Sequence, residues 1–171
     1  MIKTLFLPGA GGSASFWKPV ADYARLRGVF FSWPGLGMEP PKPGLGSIDD
    51  LIALVAKEIT EPVAIVAQSM GGFIAIKLAL AFPDLVRGLV LSVTSAGVPV
   101  VDLGGTNWRN EYFASFPAAA EWIAAPVPDL SDQIQSIHAP TLLLWGDADP
   151  ISPVAVGERL LAFLPNARLI I

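Results

Sequence analysis

The sequence has no cysteine and a single histidine, and these two shortages exclude several kinds of chemistry. Without cysteine there is no disulfide, no thiolate nucleophile and no cysteine-based zinc site, and one histidine offers too few nitrogen ligands for a typical metal centre. We therefore expect a mechanism that needs no metal and no cofactor. The eleven Lys and Arg residues are scattered, and the net charge is -4. Because no basic stripe can follow a phosphate backbone, nucleic acid is not an expected partner.

Long hydrophobic runs are also missing, although 53% of the residues are hydrophobic. The first apolar run is ended by Pro8 and Gly9, before it reaches the length of a signal peptide. The other runs fall short of the ~20 residues that span a bilayer. The sequence thus predicts no membrane partner and a cytoplasmic location, and it leaves the oligomeric state open.

Short apolar runs alternate with helix-like segments along most of the chain. Strands are predicted at 4–7, 29–32, 63–66, 89–93, 141–145 and 168–171, and helices at 16–26, 48–59, 71–82 and 153–164. Ser47 followed three residues later by Asp50 is typical of a helix start. Such alternation predicts an α/β fold: a three-layer α/β/α sandwich with a mostly parallel sheet. At 171 residues the chain fits a single domain, 1–171.

The pattern changes at about 95–128, where glycine, proline and aromatic residues replace the strand periodicity. This segment is predicted to be a short cap-like insertion. Its aromatic residues Trp108, Phe113 and Trp122 are candidates for binding an apolar part of a substrate. They are equally compatible with buried packing, as are Trp17 and Trp33 outside the segment.

Ser69 is the first candidate for catalysis, in the run Ala67-Gln68-Ser69-Met70-Gly71. A serine hydroxyl is a weak nucleophile, and hydrolases place it on a sharp strand-to-helix turn where a base can reach it. Here a predicted strand precedes Ser69 and a predicted helix follows it. The usual motif is Gly-x-Ser-x-Gly, and Ala67 takes the place of its first glycine. Alternatively, Ser69 only caps the following helix.

Two other loops follow predicted strands. The loop Pro8-Gly9-Ala10-Gly11-Gly12 is rich in glycine and can present backbone N–H donors to an oxyanion, although it is also compatible with a plain turn. It lacks the Lys-Ser/Thr pair of a phosphate-binding loop. The turn Gly146-Asp147-Ala148-Asp149-Pro150 carries two carboxylates, one of which can orient a histidine. Both carboxylates are equally compatible with a role in forming the turn.

Together these three segments resemble the α/β-hydrolase superfamily in the order of their motifs. The resemblance implies that Ser69 is the nucleophile, that the amides of Ala10 and Met70 form the oxyanion hole, and that Asp149 is the acid. It leaves Asp147 as a structural residue of the turn. The stretch 10–16 also looks like the corresponding loop of type II thioesterases, although Pro8-Gly9 replaces the common His-Gly there.

A serine nucleophile also needs a base, which is the histidine of a Ser-His-Asp triad, and the sequence offers no well-placed histidine. His138 precedes the strand predicted at 141–145, whereas catalytic groups gather beyond the carboxyl ends of parallel strands. Five strand residues place His138 on the order of 16 Å from Asp149, so we expect a structural or surface role for it. In the superfamily the histidine follows the next strand, which corresponds to 168–171 here. We therefore expect a truncated, partial or degenerate chain with weak or absent turnover.

Three functions remain open on these grounds. The first is a serine hydrolase that cleaves a small-molecule carboxylic ester through an acyl-enzyme on Ser69. The second is an acyl thioesterase with the same nucleophile. The third is a truncated or non-catalytic member that binds an apolar ligand or a partner protein.

Overall fold

The computed structural model describes residues 2–171 and is built on one six-stranded sheet. The strands are β1 (Lys3–Leu7), β2 (Gly28–Phe30), β3 (Val63–Gln68), β4 (Val86–Ser92), β5 (Thr141–Leu144) and β6 (Ala167–Ile170). Their order is β2-β1-β3-β4-β5-β6, and every neighbouring pair is parallel. The predicted α/β fold with a parallel sheet is confirmed.

Within residues 2–171, six α-helices lie between or beside these strands. They are α1 (Lys18–Tyr23), α2 (Ile48–Ala56), α3 (Met70–Ala81), α4 (Arg109–Ser115), α5 (Ser131–Ile134) and α6 (Val154–Phe163), and short 3-10 helices occupy Val101–Leu103 and Glu121–Ala124. Ser47 begins α2 as expected, because its hydroxyl accepts a hydrogen bond from the Asp50 amide at 3.2 Å. None of the helices in residues 2–171 combines the length and apolarity that crossing a membrane requires.

The alternation of side chains along the strands gives the sheet two apolar faces. On one face, Leu5, Ile65 and Leu91 pack in the main core with residues of α2, α3 and α6. On the other face, Phe6 and Val66 pack against Ala21 of α1 and against Trp17, which directly precedes that helix. Helices therefore lie on both faces, as expected for a three-layer sandwich. On the second face α1 covers only β1 and β3, and an open groove remains over β4, β5 and β6.

The connection from β4 to β5 contains α4, α5 and both 3-10 helices, and it includes the predicted insertion at 95–128. One of its links to the main fold is an exposed ion pair. The Arg159 guanidinium on α6 donates to both carboxylate oxygens of Asp102, at 2.9 and 2.6 Å. Arg159 thereby ties the first 3-10 helix of the connection to α6.

This ion pair predicts a pH-dependent contribution to stability. Hydrogen bonds from Arg159 lower the pKa of Asp102 from 3.8 to about 2. Because the folded-state pKa lies below the unfolded one, the contribution is present above about pH 4 and is lost as the pH falls through about 2. We expect Asp102→Asn to destabilise the protein slightly at pH 6 and not at pH 2, in urea titrations. Asp132→Asn, at an exposed position, is the control, and a pH-independent effect of Asp102→Asn would contradict the prediction.

Candidate active site

Ser69 lies on the sharp turn between β3 and α3. Its backbone has φ 51° and ψ −119°, a conformation that L-residues rarely adopt and that costs of order 1–3 kcal/mol. The side chain is half-buried and makes no capping hydrogen bond to α3. The alternative in which Ser69 serves only as a helix cap therefore has no hydrogen bond to support it. The strained turn instead presents the hydroxyl to the space beyond the carboxyl end of β3.

Two glycines after Ser69 allow this turn to pack tightly. A Cβ added at Gly71 would lie 2.7 Å from the carbonyl oxygens of both Leu7 and Pro8. A Cβ at Gly72 would overlap the side chain of Thr94. The beginning of α3 thus approaches the end of β1 at a distance that no larger residue permits.

Thr94 fixes the strained residue directly. Its side chain is buried, and its hydroxyl donates a 2.6 Å hydrogen bond to the Ser69 carbonyl while accepting one from the Ala96 amide at 3.0 Å. The Ser69 amide also donates to the Ser92 carbonyl at the end of β4, at 3.0 Å. The amide and the carbonyl of Ser69 are therefore both held by the end of β4 and the residues directly after it.

The predicted oxyanion donors face the same region. Ala10 follows β1, Met70 begins α3, and both residues line a cavity together with Ser69. Among the described residues, no backbone or side-chain acceptor takes a hydrogen bond from either amide N–H. Free N–H groups next to a serine are suited to stabilise a developing oxyanion. Their role as donors stays a prediction.

Two buried tryptophans position the loop that carries Ala10. The indole N–H of Trp17 donates to the Leu7 carbonyl and that of Trp33 donates to the Pro8 carbonyl, each at 2.9 Å. Trp33 is completely buried. Both indoles thus satisfy carbonyl groups at the end of β1, where the chain leaves the sheet. The sequence was compatible with either buried packing or substrate binding for these two tryptophans. In the structure, they pack and donate hydrogen bonds.

Tyr112 connects α4 to the same loop. Its hydroxyl donates to the Ala10 carbonyl at 3.1 Å and accepts from the Gly37 amide at 2.9 Å. Burial raises the pKa of this phenol. Since the Ala10 carbonyl and amide belong to one residue, a hydrogen bond at the carbonyl restricts the orientation of the amide.

Asp149 lies in the turn after β5, where the carboxyl ends of the strands converge. Its Oδ1 accepts hydrogen bonds from the amides of Ile151 and Ser152, both at 2.8 Å. Its Oδ2 has no protein donor among residues 2–171. Asp149 therefore forms the turn with one oxygen and keeps the other free. Asp147, which was expected to form the turn, is exposed and makes no side-chain hydrogen bond among these residues.

His138 lies at the other edge of the sheet. It is exposed and precedes β5, and its carbonyl accepts a 2.8 Å hydrogen bond from the side-chain amide of Asn166. Ser69 follows β3 at the carboxyl ends of the same parallel strands. His138, the only histidine in the sequence, is therefore not placed to take the proton of Ser69, as expected from its position before the strand.

Two cavities open at Ser69, of about 370 and 390 Å³. Trp108 lines both of them, as its assignment to substrate binding requires. Phe113 and Trp122 line neither cavity. Both are half-buried and pack against the main core, and Phe113 contacts Tyr112 edge to face with ring centroids 5.5 Å apart. Because their rings face the core, the structure gives these two residues a packing role.

Sequence reasoning missed Thr94 and Tyr112 as positioning residues, and nothing in their local sequence marks them. Each acts on a backbone group distant in sequence, Ser69 and Ala10 respectively. No group of three or more His, Asp or Glu residues in the described part of the chain could hold a metal ion.

Comparison with known proteins finds relatives over most of the chain. One relative is 2-hydroxy-6-oxononadienedioate/2-hydroxy-6-oxononatrienedioate hydrolase of Paraburkholderia phymatum. Its alignment with this chain extends over 212 residues at 27% identity, and it covers 94% of this chain and 74% of the relative. Another is pimeloyl-[acyl-carrier protein] methyl ester esterase of Shewanella woodyi, 30% identical over 94 residues, 54% of this chain and 36% of the relative.

A solved structure resembles the chain over nearly its whole length. A thermophilic esterase from Thermogutta terrifontis superposes with a TM-score of 0.74 at 22% identity, covering 99% of this chain and 80% of the other. This likeness concerns the fold. One of the two relatives is named a hydrolase and the other an esterase, which supports hydrolase activity in general. The sequence model of the alpha/beta hydrolase family matches residues 4–171, and the chain therefore belongs to that family.

Proposed function

We propose that the chain is a serine hydrolase that cleaves a carboxylic ester through an acyl-enzyme on Ser69. The observation that carries the proposal is the strained conformation of Ser69, whose side chain is half-buried and lines both cavities. Strained backbone is retained where the surroundings hold it, and it clusters at active sites. One matched relative is named a methyl ester esterase, which supports ester cleavage.

The chemistry follows from the groups around Ser69. Its Oγ attacks the ester carbonyl and loses its proton to a base, while the amides of Ala10 and Met70 donate to the carbonyl oxygen as that oxygen becomes negative. The alcohol then leaves with a proton. Water attacks the acyl-serine in the second half of the reaction, which releases the acid and restores the hydroxyl.

His138 is not placed to act as the base in this reaction. Loss of the base slows both acylation and deacylation, and it leaves the contribution of the oxyanion hole and of binding. Imidazole added to the solution supplies a base without changing the chain. We therefore expect residues 1–171 to hydrolyse p-nitrophenyl butyrate slowly and to respond to imidazole beyond the reaction of imidazole alone.

The test measures p-nitrophenolate release and the mass of the peptide that contains Ser69. We expect a butyryl adduct on Ser69 and a rate that rises with imidazole. Ser69→Ala should abolish both, and the matched control His138→Gln should change neither. A protein-dependent rate that survives Ser69→Ala would overturn the proposal, as would acylation confined to another residue.

A non-catalytic binding role is the second candidate, favoured by the exposed position of His138 at the far edge of the sheet. Robust labelling of Ser69 by a fluorophosphonate would argue against it. Absence of labelling, together with ligand binding that Ser69→Ala leaves unchanged, would favour it.

A further inference from the structure

The larger of the two cavities at Ser69 has apolar walls and one charged residue. Its volume is about 390 Å³, and Phe73, Val98 and Val156 are among the residues that line it. Among the residues of 2–171 that line it, Arg109 alone is charged. An apolar cavity with one charged group is suited to a ligand that is apolar along its length and carries the opposite charge at one point.

The Arg109 side chain is held in place without using its full capacity for hydrogen bonds. Its guanidinium carbon lies 5.0 Å from the centre of the Trp108 ring, which also lines the cavity. Its Nε donates to the Ala124 carbonyl at 3.3 Å. Its two terminal nitrogens have no acceptor among residues 2–171, and no carboxylate in that range lies within 4.0 Å.

Arg159 is a nearby arginine whose terminal nitrogens do have hydrogen-bond acceptors in the chain. Arg159 donates to both carboxylate oxygens of Asp102 and to the Pro99 carbonyl. Glu111 follows Arg109 by two residues on α4, a spacing at which side chains do not face each other. The terminal nitrogens of Arg109 thus remain available to an acceptor that the chain does not supply.

A second polar group in the cavity also lacks a partner. Ser152 is only 8% exposed, and its Oγ has no hydrogen-bond partner among the described residues. Buried hydroxyls are normally paired, so each exception requires an explanation. Ser152 lines the same cavity, but less than 1 Å² of its Oγ is accessible, so a ligand would reach the hydroxyl only after the side chain rotates.

We propose that Arg109 binds a carboxylate at the far end of the acyl chain, so that the substrates are monoesters of dicarboxylic acids. The proposal rests on the proposed function for the position of the ester carbonyl at Ser69. The apolar walls then contact the methylene chain, and the guanidinium contacts the distal carboxylate. Arginine suits this role because its planar fork matches the two oxygens of a carboxylate.

The test measures binding in the Ser69→Ala protein, which separates it from turnover. Monomethyl adipate, an anion, is compared with dimethyl adipate, its neutral counterpart, by isothermal titration calorimetry. We expect the anion to bind at least about tenfold more tightly, the size of a hydrogen bond to a charged group. Arg109→Gln should remove this preference, and Arg109→Lys should restore part of it. The control Lys57→Gln, at a residue that lines neither cavity, should leave it unchanged.

Equal binding of the two esters would overturn the inference, and so would a preference that survives Arg109→Gln. If Ser69→Ala does not fold, the same comparison is made in the chain with Ser69 intact, by competition of monomethyl adipate and of dimethyl adipate against p-nitrophenyl butyrate. Preference for the anion without acylation of Ser69 would support carboxylate binding by Arg109 and reject the proposed function, together with the assignment of monoesters as substrates. Acylation of Ser69 without a preference for the anion would support the proposed function and overturn carboxylate binding by Arg109.

Discussion

Replacing Gly71 with alanine is expected to lower the free energy of unfolding by about 2 kcal/mol or more. The added Cβ would lie 2.7 Å from two backbone oxygens, those of Leu7 and Pro8. Overpacking commonly costs 1–3 kcal/mol, and backbone obstacles leave little room for relief. Alanine is favoured over glycine inside a helix by about 1 kcal/mol. We expect the clash to outweigh that gain, because relief requires α3 and β1 to separate.

The measurement is urea denaturation followed by circular dichroism. Gly46→Ala is the matched control, because a Cβ there meets nothing within 4 Å, and its effect should stay within about 0.5 kcal/mol. Separation of α3 from β1 also moves the amide of Ala10 away from Ser69. Acylation of Ser69 by p-nitrophenyl butyrate should therefore fall further than stability alone explains. A Gly71→Ala protein as stable as the Gly46→Ala protein would contradict the close approach.

The site depends on backbone groups that side chains hold from a distance. Thr94 fixes the carbonyl of Ser69, and Tyr112 fixes the carbonyl of Ala10. Strain at Ser69 persists because several contacts outside the turn determine its conformation together. The geometry of nucleophile and oxyanion donors is thus a property of the packed core as much as of the motif.

The sequence predicted the sheet well because buried parallel strands produce continuous apolar runs. The strand predicted at 63–66 is Val63–Gln68, and the helix predicted at 71–82 is Met70–Ala81. The second strand was predicted at 29–32, but it is Gly28–Phe30. Phe31 is buried beyond the end of that strand, so its apolar side chain extended the predicted run.

Positions after strands were also predictable, because parallel strands bring their carboxyl ends to one edge of the sheet. This rule places Ser69 and Asp149 at one edge and His138 at the other. Aromatic residues were harder to assign. Trp108 and Trp122 look alike in sequence and both pack against the main core, yet Trp108 also lines the cavities and Trp122 does not. Which way a side chain faces in an irregular segment depends on long-range contacts, which local patterns do not encode.

The second prediction with a large expected effect on stability concerns Trp33. Trp33→Ala is expected to cost about 3–5 kcal/mol in the free energy of unfolding, the range for removing a fully buried large side chain. Trp33 is 0% exposed and donates to the Pro8 carbonyl. Trp122, which is half-buried, is the control, and Trp122→Ala should cost less than half as much.

Trp33→Phe separates the two parts of this effect. Phenylalanine keeps much of the buried volume but leaves the Pro8 carbonyl without the indole donor, and an unpaired buried polar group costs about 1–3 kcal/mol. That carbonyl lies two residues before the Ala10 amide, so its release frees the loop that presents the amide. We therefore expect Trp33→Phe to slow acylation of Ser69 in protein that is still folded, whereas Trp122→Phe should not. Equal acylation rates in these two proteins would mean that Trp33 only fills the core.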